Sequence, residues 1–136
     1  MEDFAKAHLF VYGTLRKGFR SHEMLRRLHA QSVAGGHVQG RLYDLGNYPG
    51  AVESASETDR IHGEVYILPN AAQAFRVLDR FEGYDPAKPG CNLFERQETT
   101  VVLAGGGRMR AWIYWLGSCH QGRRRVPSGD YAMCRA

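Results

Sequence analysis

The most informative segment of the sequence is Leu9–Gly18, which reads LFVYGTLRKG. Its first four residues are apolar or aromatic, which is typical of a short buried strand, and Gly13 ends that strand. Another group can approach the backbone closely at Gly13, because glycine has no side chain. Successive N–H groups in such a turn can converge on a carboxylate or an oxyanion. Arg16 and Lys17 add positive charge there, so we predict an anion-binding turn; an ordinary strand end with a charged loop fits the same pattern.

Four further strands and two helices are predicted along the rest of the chain. Apolar alternation and turn residues predict strands at Val38–Leu45, Ile61–Leu68, Phe94–Leu103 and Met109–Leu116. Gly105–Gly107 predicts a flexible hairpin between the last two strands. Ser21 is expected to cap a short first helix, with Gly35-Gly36 ending that unit. Residues 47–58 and the C-terminal tail are expected to be irregular.

Many short strands with two helices predict an α+β fold, in which the sheet curls into a small barrel. The length of 136 residues suits one domain with one core, so residues 1–136 are expected to form a single domain. Strand order does not follow from the sequence.

The second predicted helix places a carboxylate on its apolar side. The helix begins at Pro69-Asn70 and runs to about Phe81. At about 100° per residue, one broad arc contains the apolar residues Ala71, Ala74, Phe75, Val77, Leu78 and Phe81. Glu82 falls inside this arc, whereas Asp79 and Arg80 lie at its edge or beyond it.

Gly83 is expected to stop the helix directly after Glu82. Burial and the negative end of the helix dipole both favour the protonated carboxyl, so both should raise the pKa of Glu82. A carboxyl with a raised pKa suits a general base that works near neutral pH. The alternative is that Glu82 reaches solvent at a frayed helix end, or bonds the following loop.

Five sequence blocks follow one another along the chain. They are VYGTLRKG at 11–18, GRLYDLGNYPG at 40–50, GEVY at 63–66, LDRFEGY at 78–84 and SGDY at 128–131. In type and order they resemble the γ-glutamylcyclotransferase-like superfamily, which includes γ-glutamylamine cyclotransferases and AIG2-like proteins. The resemblance covers nearly the whole chain and implies a mixed barrel flanked by helices.

The resemblance also implies a reaction. In that superfamily the α-amine of a γ-glutamyl group attacks its own γ-carbonyl carbon, which releases 5-oxoproline and a free amine. Glu82, in the fourth block, would be the residue that transfers the protons. The turn formed by Tyr12, Gly13, Thr14 and Leu15 would hold the γ-glutamyl group, through its carboxylate, the oxyanion or both. No metal or organic cofactor is implied.

Other side chains are weaker candidates for substrate binding. Tyr48, like Tyr43, could line the pocket, although tyrosines in turns and strands are often structural. Arg96 could bind a carboxylate, or it could be an exposed strand arginine. Tyr131, in the last block, could cover the site. Glu64 is expected to belong to a structural hydrogen-bond network.

Two positions depart from the superfamily pattern. Ser21 stands where an asparagine is usual, and Phe94 stands where a tyrosine is usual. Either change could remove a hydrogen bond near the site, which bears on the identity of the substrate. A non-catalytic small-molecule binding module on the same fold is therefore the alternative function.

Composition argues against several other classes of protein. The formal charge is +4, from 18 basic and 14 acidic residues, which permits an acidic ligand but does not demand nucleic acid. Trp112 and Trp115 are an odd number of positions apart, so a strand would place them on opposite faces rather than on one stacking platform. No apolar run approaches the length of about 20 residues that a membrane helix needs.

The cysteines and the first residues bear on location. Cys91, Cys119 and Cys134 are widely spaced and odd in number, which favours a reducing compartment over a disulfide framework. No C-x-x-C pair accompanies Cys119, His120 and Cys134, so a metal site is not expected. The sequence MEDFAK is not typical of a signal peptide, and the cytoplasm is expected. The expected partner is a small γ-glutamyl substrate, and the protein is expected to be a monomer or a homodimer.

Overall fold

A computed structural model describes residues 4–117 and 121–134. Its strands are β1 Ala7–Val11, β2 Gln31–Asp44, β3 Pro49–Glu53, β4 Arg60–Leu68, β5 Phe94–Leu103, β6 Arg108–Leu116 and β7 Arg124–Val126. Its helices are α1 His22–Arg27, α2 Ala71–Glu82 and α3 Tyr131–Cys134. Among these helices, none has the length and apolar character needed to cross a membrane.

Five of the strands close into a barrel in the order β1–β4–β2–β3–β6, with β6 pairing back to β1. The closing pair is parallel and joins Leu9 to Trp112, and β3 also runs parallel to β6, through Ala51 and Trp115. The remaining neighbours are antiparallel; β5 joins β6 and β2, and β7 joins β2. The prediction of an α+β fold with a small mixed barrel and short helices is confirmed.

Both faces of the barrel wall are buried where β1 runs. Phe10 belongs to a core cluster made almost entirely of strand side chains, whereas Leu9 and Val11 belong to a second cluster that includes the buried face of α2. This explains why the three consecutive residues Leu9, Phe10 and Val11 are all apolar rather than alternating with polar ones. Trp112 and Trp115 also belong to different clusters, as their spacing predicts.

The ends of α2 follow the sequence signals. The Asn70 side chain accepts a hydrogen bond from the Gln73 N–H, and Gly83 caps the helix at φ 70°, in the left-handed region. The buried face is narrower than predicted, because Val77 and Phe81 are 41% and 44% exposed. Ser21 occupies the N-cap position of α1, but its side chain makes no capping hydrogen bond.

Three irregular or turn predictions are wrong. Residues 47–58 contain β3, and the tail contains β7 and α3. Gly35 and Gly36 lie inside the 14-residue strand β2 rather than at the end of a helical unit. A Cβ atom at Gly36 would lie 2.6 Å from the Val102 carbonyl oxygen, so this glycine permits β5 to pass close by, which local sequence does not reveal.

A substitution at Gly63 tests the packing of β4 against β1. A Cβ atom there would lie 2.2 Å from the Val11 carbonyl oxygen, so one of the two strands must shift in Gly63→Ala. We expect this variant to lose about 1–3 kcal/mol of unfolding free energy in a denaturant titration. Gly105→Ala is the matched control, because nothing lies within 4 Å of its added Cβ. Equal stability of the two variants would contradict the described packing.

Candidate active site

A cavity of about 220 Å³ lies where β1 ends, next to the C-terminal end of α2. Its walls come from β1 and the turn after it, from the start of β3, from the last residues of α2, and from the strands β5 and β6. The lining residues are Phe10, Val11, Tyr12, Gly13, Thr14, Leu15, Arg20, Ser21, Tyr48, Pro49, Phe81, Glu82, Leu93, Phe94 and Tyr114. The predicted turn and the predicted carboxylate therefore share one cavity.

The turn after β1 lines this cavity and carries backbone donors that have no partner in the described part of the chain. The Arg16 N–H donates to the Gly13 carbonyl at 3.0 Å, and the Ser21 N–H donates to the Thr14 carbonyl at 3.0 Å, which fixes the shape of the turn. The N–H groups of Gly13, Thr14 and Leu15 meet no acceptor in the described part of the chain. Adjacent unsatisfied N–H groups of this kind form a site for an anion or an oxyanion.

Gly13 is needed for close packing rather than for an unusual backbone angle. A Cβ atom at this position would lie 2.7 Å from Cγ of Pro49, at the start of β3. The group that approaches the turn is thus the proline ring of the second sequence block. Pro49 and Gly13 together form one wall of the cavity.

Arg16 was predicted to add positive charge to the anion site, but it does not line the cavity. It is instead bound to carboxylates of the protein. Its Nε lies 3.3 Å from a Glu64 carboxylate oxygen, and its Nη1 lies 2.8 Å from an Asp130 carboxylate oxygen. The Lys17 backbone N–H and the Tyr66 hydroxyl also donate to Glu64. This confirms the predicted structural network around Glu64 and shows why the Arg16 charge is not available to a ligand.

Glu82 is the one carboxylate that lines the cavity among the described residues, and it is partly exposed to it. No group in the described ranges 4–117 and 121–134 donates a hydrogen bond to its carboxylate or forms an ion pair with it. Burial raises the pKa of Glu82 to about 7, from an ordinary value of 4.5. Its position as the last residue of α2 also disfavours the charge, because the helix dipole is negative there.

Tyr12 and Tyr114 form a hydrogen-bonded wall beside Glu82. The buried Tyr12 hydroxyl donates to the Tyr114 carbonyl at 2.6 Å and accepts from the Ala51 N–H at 3.2 Å. Burial, and then the nearby Glu82 charge, raise the pKa of Tyr12 well above its ordinary value. The Tyr114 hydroxyl donates to Asp79 at 2.7 Å, and burial raises its pKa as well. Both tyrosines therefore remain neutral and fixed.

The structure does not bring Arg96 to the cavity, contrary to the prediction of a substrate-binding role. Its guanidinium makes two hydrogen bonds to the carboxylate of Asp79, at 2.8 and 3.1 Å. The same group lies 4.0 Å from the ring centre of Phe75 and 4.8 Å from that of Trp112. Arg96 is thus neither exposed nor free, and it holds Asp79 in place for Tyr114.

Tyr131 and Tyr43 also lie outside the cavity lining, whereas Tyr48 belongs to it. Tyr131 is buried in the barrel core, with its ring 5.4 Å from the ring of Phe19, so it does not cover the site directly. The block that contains Tyr131 acts instead through Asp130, which pairs with Arg16.

Several lining residues were not predicted as site residues. Arg20 is the cation among the described lining residues, and its guanidinium hydrogen-bonds the Asn47 carbonyl oxygen. Phe81, Leu93 and Tyr114 complete the walls, and the two departures from the superfamily pattern, Ser21 and Phe94, lie in the lining. The departures at Ser21 and Phe94 were the sequence signal that these two residues lie at the site. The direction of the Arg20 side chain depends on its contact with Asn47, 27 residues away in the chain, which no local pattern predicts.

No group of three or more His, Cys, Asp or Glu side chains could hold a metal ion within the described ranges. Cys119 and His120 lie outside the described residues, as does the side chain of Cys134. Cys91 is a free, exposed cysteine.

The family model for γ-glutamyl cyclotransferase, AIG2-like, matches residues 9–133. The chain belongs to this family. The γ-glutamylcyclotransferase family protein YtfP of Escherichia coli K12 is 43% identical over 125 residues, which cover 90% of this chain and 94% of that protein. The γ-L-glutamyl-butirosin B γ-glutamyl cyclotransferase of Niallia circulans is 33% identical over 108 residues, covering 79% of this chain and 65% of that protein.

A solved structure agrees with the fold. The crystal structure of an AIG2-like protein from Mus musculus matches with a TM-score of 0.66 and 28% sequence identity, covering 81% of this chain and 76% of that one. The family is one of enzymes, and its match extends across the first turn, the whole of α2 and the segment that carries Asp130. The elements that build the cavity are therefore those shared with the family.

The raised pKa of Glu82 has a consequence for stability. In the unfolded chain the carboxyl ionises near its ordinary pKa of 4.5, but in the folded protein it ionises near 7. The stability that the protonated side chain contributes at low pH is therefore lost as the pH rises through 7. We expect Glu82→Gln to be more stable than wild type by about 1–3 kcal/mol at pH 8, and by much less at pH 4.5.

Unfolding midpoints at the two pH values would measure this difference. Glu98→Gln is the control, because Glu98 lies exposed on β5 with Arg110 3.7 Å away, and surface ion pairs contribute about 0–1 kcal/mol. A Glu82→Gln variant that shows no gain at pH 8 would mean that the carboxylate is well solvated.

Proposed function

We propose that this protein is a γ-glutamyl cyclotransferase that releases 5-oxoproline and a free amine from a γ-glutamyl compound. The observation that carries the proposal is the shared cavity: a carboxyl with a pKa of about 7 and a turn with unused N–H donors line the same space. Membership of the family and the names of its relatives support the same activity.

Glu82 would act as the proton-transfer residue. The α-amine of the substrate is mostly protonated near pH 7, so it attacks only after a base removes a proton. The ionised Glu82 takes this proton, and the amine nitrogen forms a bond to the γ-carbonyl carbon of the same molecule. A carboxyl with a pKa near the working pH takes up and returns protons with nearly equal ease, which suits both halves of the reaction.

The tetrahedral intermediate collapses when the bond from the γ-carbon to the departing nitrogen breaks. Glu82 supplies a proton to that nitrogen, and the ring nitrogen gives up its second proton through the same carboxylate. Two of the three protons of the original ammonium thus end on the leaving amine, which departs as an ammonium ion. Glu82 returns to its ionised state, and one N–H remains on 5-oxoproline.

The turn would stabilise the negative charge that the reaction creates. The N–H groups of Gly13, Thr14 and Leu15 can donate to the oxyanion, to the α-carboxylate of the substrate, or to both. Because these donors are held in place before the substrate binds, they need little reorganisation during the reaction. Nucleophile and electrophile belong to one molecule, so the protein has to hold that molecule in a reactive conformation and need not bring two reactants together.

The direct test is a screen of γ-glutamyl compounds for 5-oxoproline release, read by mass spectrometry. We expect at least one compound to react and Glu82→Gln to lower kcat/KM by about 100-fold or more, because the amide keeps the shape but cannot accept a proton. Glu98→Gln, the same change on an exposed strand carboxylate, should retain wild-type activity. Equal rates for wild type and Glu82→Gln would contradict the assigned role, and binding without turnover would favour a non-catalytic module.

The pH profile gives an independent prediction. The base must be ionised in the free enzyme, so kcat/KM should fall about tenfold per pH unit below the Glu82 pKa of about 7. A profile measured from pH 5 to 9 should therefore bend near 7. A limb that bends near 4.5 would show that the group governing the rate is a carboxyl with an ordinary pKa.

A further inference from the structure

We infer that the substrate's leaving amine carries an apolar substituent with no carboxylate of its own. This inference rests on the proposed function and adds the class of leaving group. It follows from two groups of lining residues: a polar group, formed by the turn at 13–15 and Arg20, and an apolar group next to Glu82, formed by Phe81 and Leu93.

The polar group of lining residues can bind one carboxylate. Its donors are the N–H groups of the turn at 13–15 and the guanidinium of Arg20, the cation of the described lining. Part of that guanidinium is already engaged by the Asn47 carbonyl. Every γ-glutamyl compound brings one α-carboxylate, which these donors can bind. The two nearby arginines, Arg16 and Arg96, are both paired with carboxylates of the protein and do not reach the cavity.

The side chains next to Glu82 are apolar and unusually exposed. Phe81 precedes it on α2 with 44% of its surface exposed, and Leu93 is 39% exposed on the facing loop. Large apolar side chains that line a cavity and face solvent are typical of a surface that a ligand covers. The rings of Tyr48 and Phe94, 5.9 Å apart, extend the same apolar wall.

This apolar wall is fixed in position. The Leu93 N–H donates to the Gly83 carbonyl at 3.2 Å, and the Gly117 N–H donates to the Leu93 carbonyl at 2.8 Å. Leu93 also packs against Gly83: a Cβ atom added at Gly83 would lie 3.3 Å from the Leu93 Cβ. The loop is thus attached to the helix cap that follows Glu82, and the apolar surface is ready before a ligand arrives.

A second carboxylate, on the leaving amine, would be unfavourable beside Phe81 and Leu93. It would lose water against Phe81 and Leu93 without gaining a cation. It would also lie near Glu82, and a neighbouring negative charge raises the pKa of a carboxyl and opposes the ionised base. An alkyl or aryl substituent meets neither cost and covers the exposed apolar surface.

Two compounds that differ by one carboxylate test the inference. They are γ-glutamyl-phenethylamide and γ-glutamyl-phenylalanine, assayed by 5-oxoproline release at about pH 8.5, where Glu82 is ionised. We expect kcat/KM to favour the phenethylamide by about tenfold or more. Phe81→Arg should reduce this preference by raising kcat/KM for the phenylalanine compound. Val77→Arg is the control, because Val77 is similarly exposed on the same helix but does not line the cavity, and its preference should equal that of wild type.

Equal rates, or a preference for the compound with the second carboxylate, would overturn the inference and leave the proposed cyclotransferase activity intact. The inference would also be overturned if the Phe81→Arg variant kept the wild-type ratio of kcat/KM for the two compounds, because the end of α2 would then not contact the leaving group. Absence of 5-oxoproline from both compounds and from the wider screen would instead overturn the proposed function, and the inference with it.

Discussion

The burial of one unpaired carboxylate is the constraint on which the site depends. The structure pairs Glu64 and Asp130 with Arg16, and Asp79 with Arg96. Glu82 alone, at the end of α2, lines the cavity without a donor in the described part of the chain. Its desolvation costs stability at neutral pH, and the same desolvation brings its pKa into the range where proton transfer in both directions is easy.

The barrel brings this carboxylate and a turn with unused donors to one cavity. Because β6 pairs back to β1, the exit of β1 is fixed relative to the wall that carries Tyr114. The turn after β1 is then held from two sides, by Pro49 packed on Gly13 and by Arg16 bound to β4 and to the C-terminal segment. The two ion-pair networks lie behind the walls rather than within the cavity. These networks position the turn and Tyr114, and they leave Arg20 and Glu82 as the cation and the carboxyl of the described lining.

The sequence predicted the parts of the site that depend on local signals. The two ends of α2 were predicted from Asn70 and Gly83, and its buried face from the spacing of apolar residues. The turn after β1 was predicted from Gly13. The directions of Arg16 and Arg96 did not follow, because each is set by carboxylates that the fold brings from distant strands or helices. The strand β3 was missed since its small residues and proline resemble a loop until the partners on both sides are known. The family resemblance added the order of the blocks and the proposed role of Glu82, which neither periodicity nor spacing contains.

The most direct measurement is a titration of the Glu82 carboxyl itself. Carbon NMR of protein labelled at the glutamate side-chain carboxyl would follow every glutamate from pH 3 to 9, and Glu82→Gln would identify the resonance by its absence. We expect one carboxyl with a midpoint near 7, well separated from the others, and a shift of that resonance when 5-oxoproline is added. A midpoint near the ordinary value of 4.5, with no response to 5-oxoproline, would show that Glu82 is a solvated carboxyl that does not contact the product.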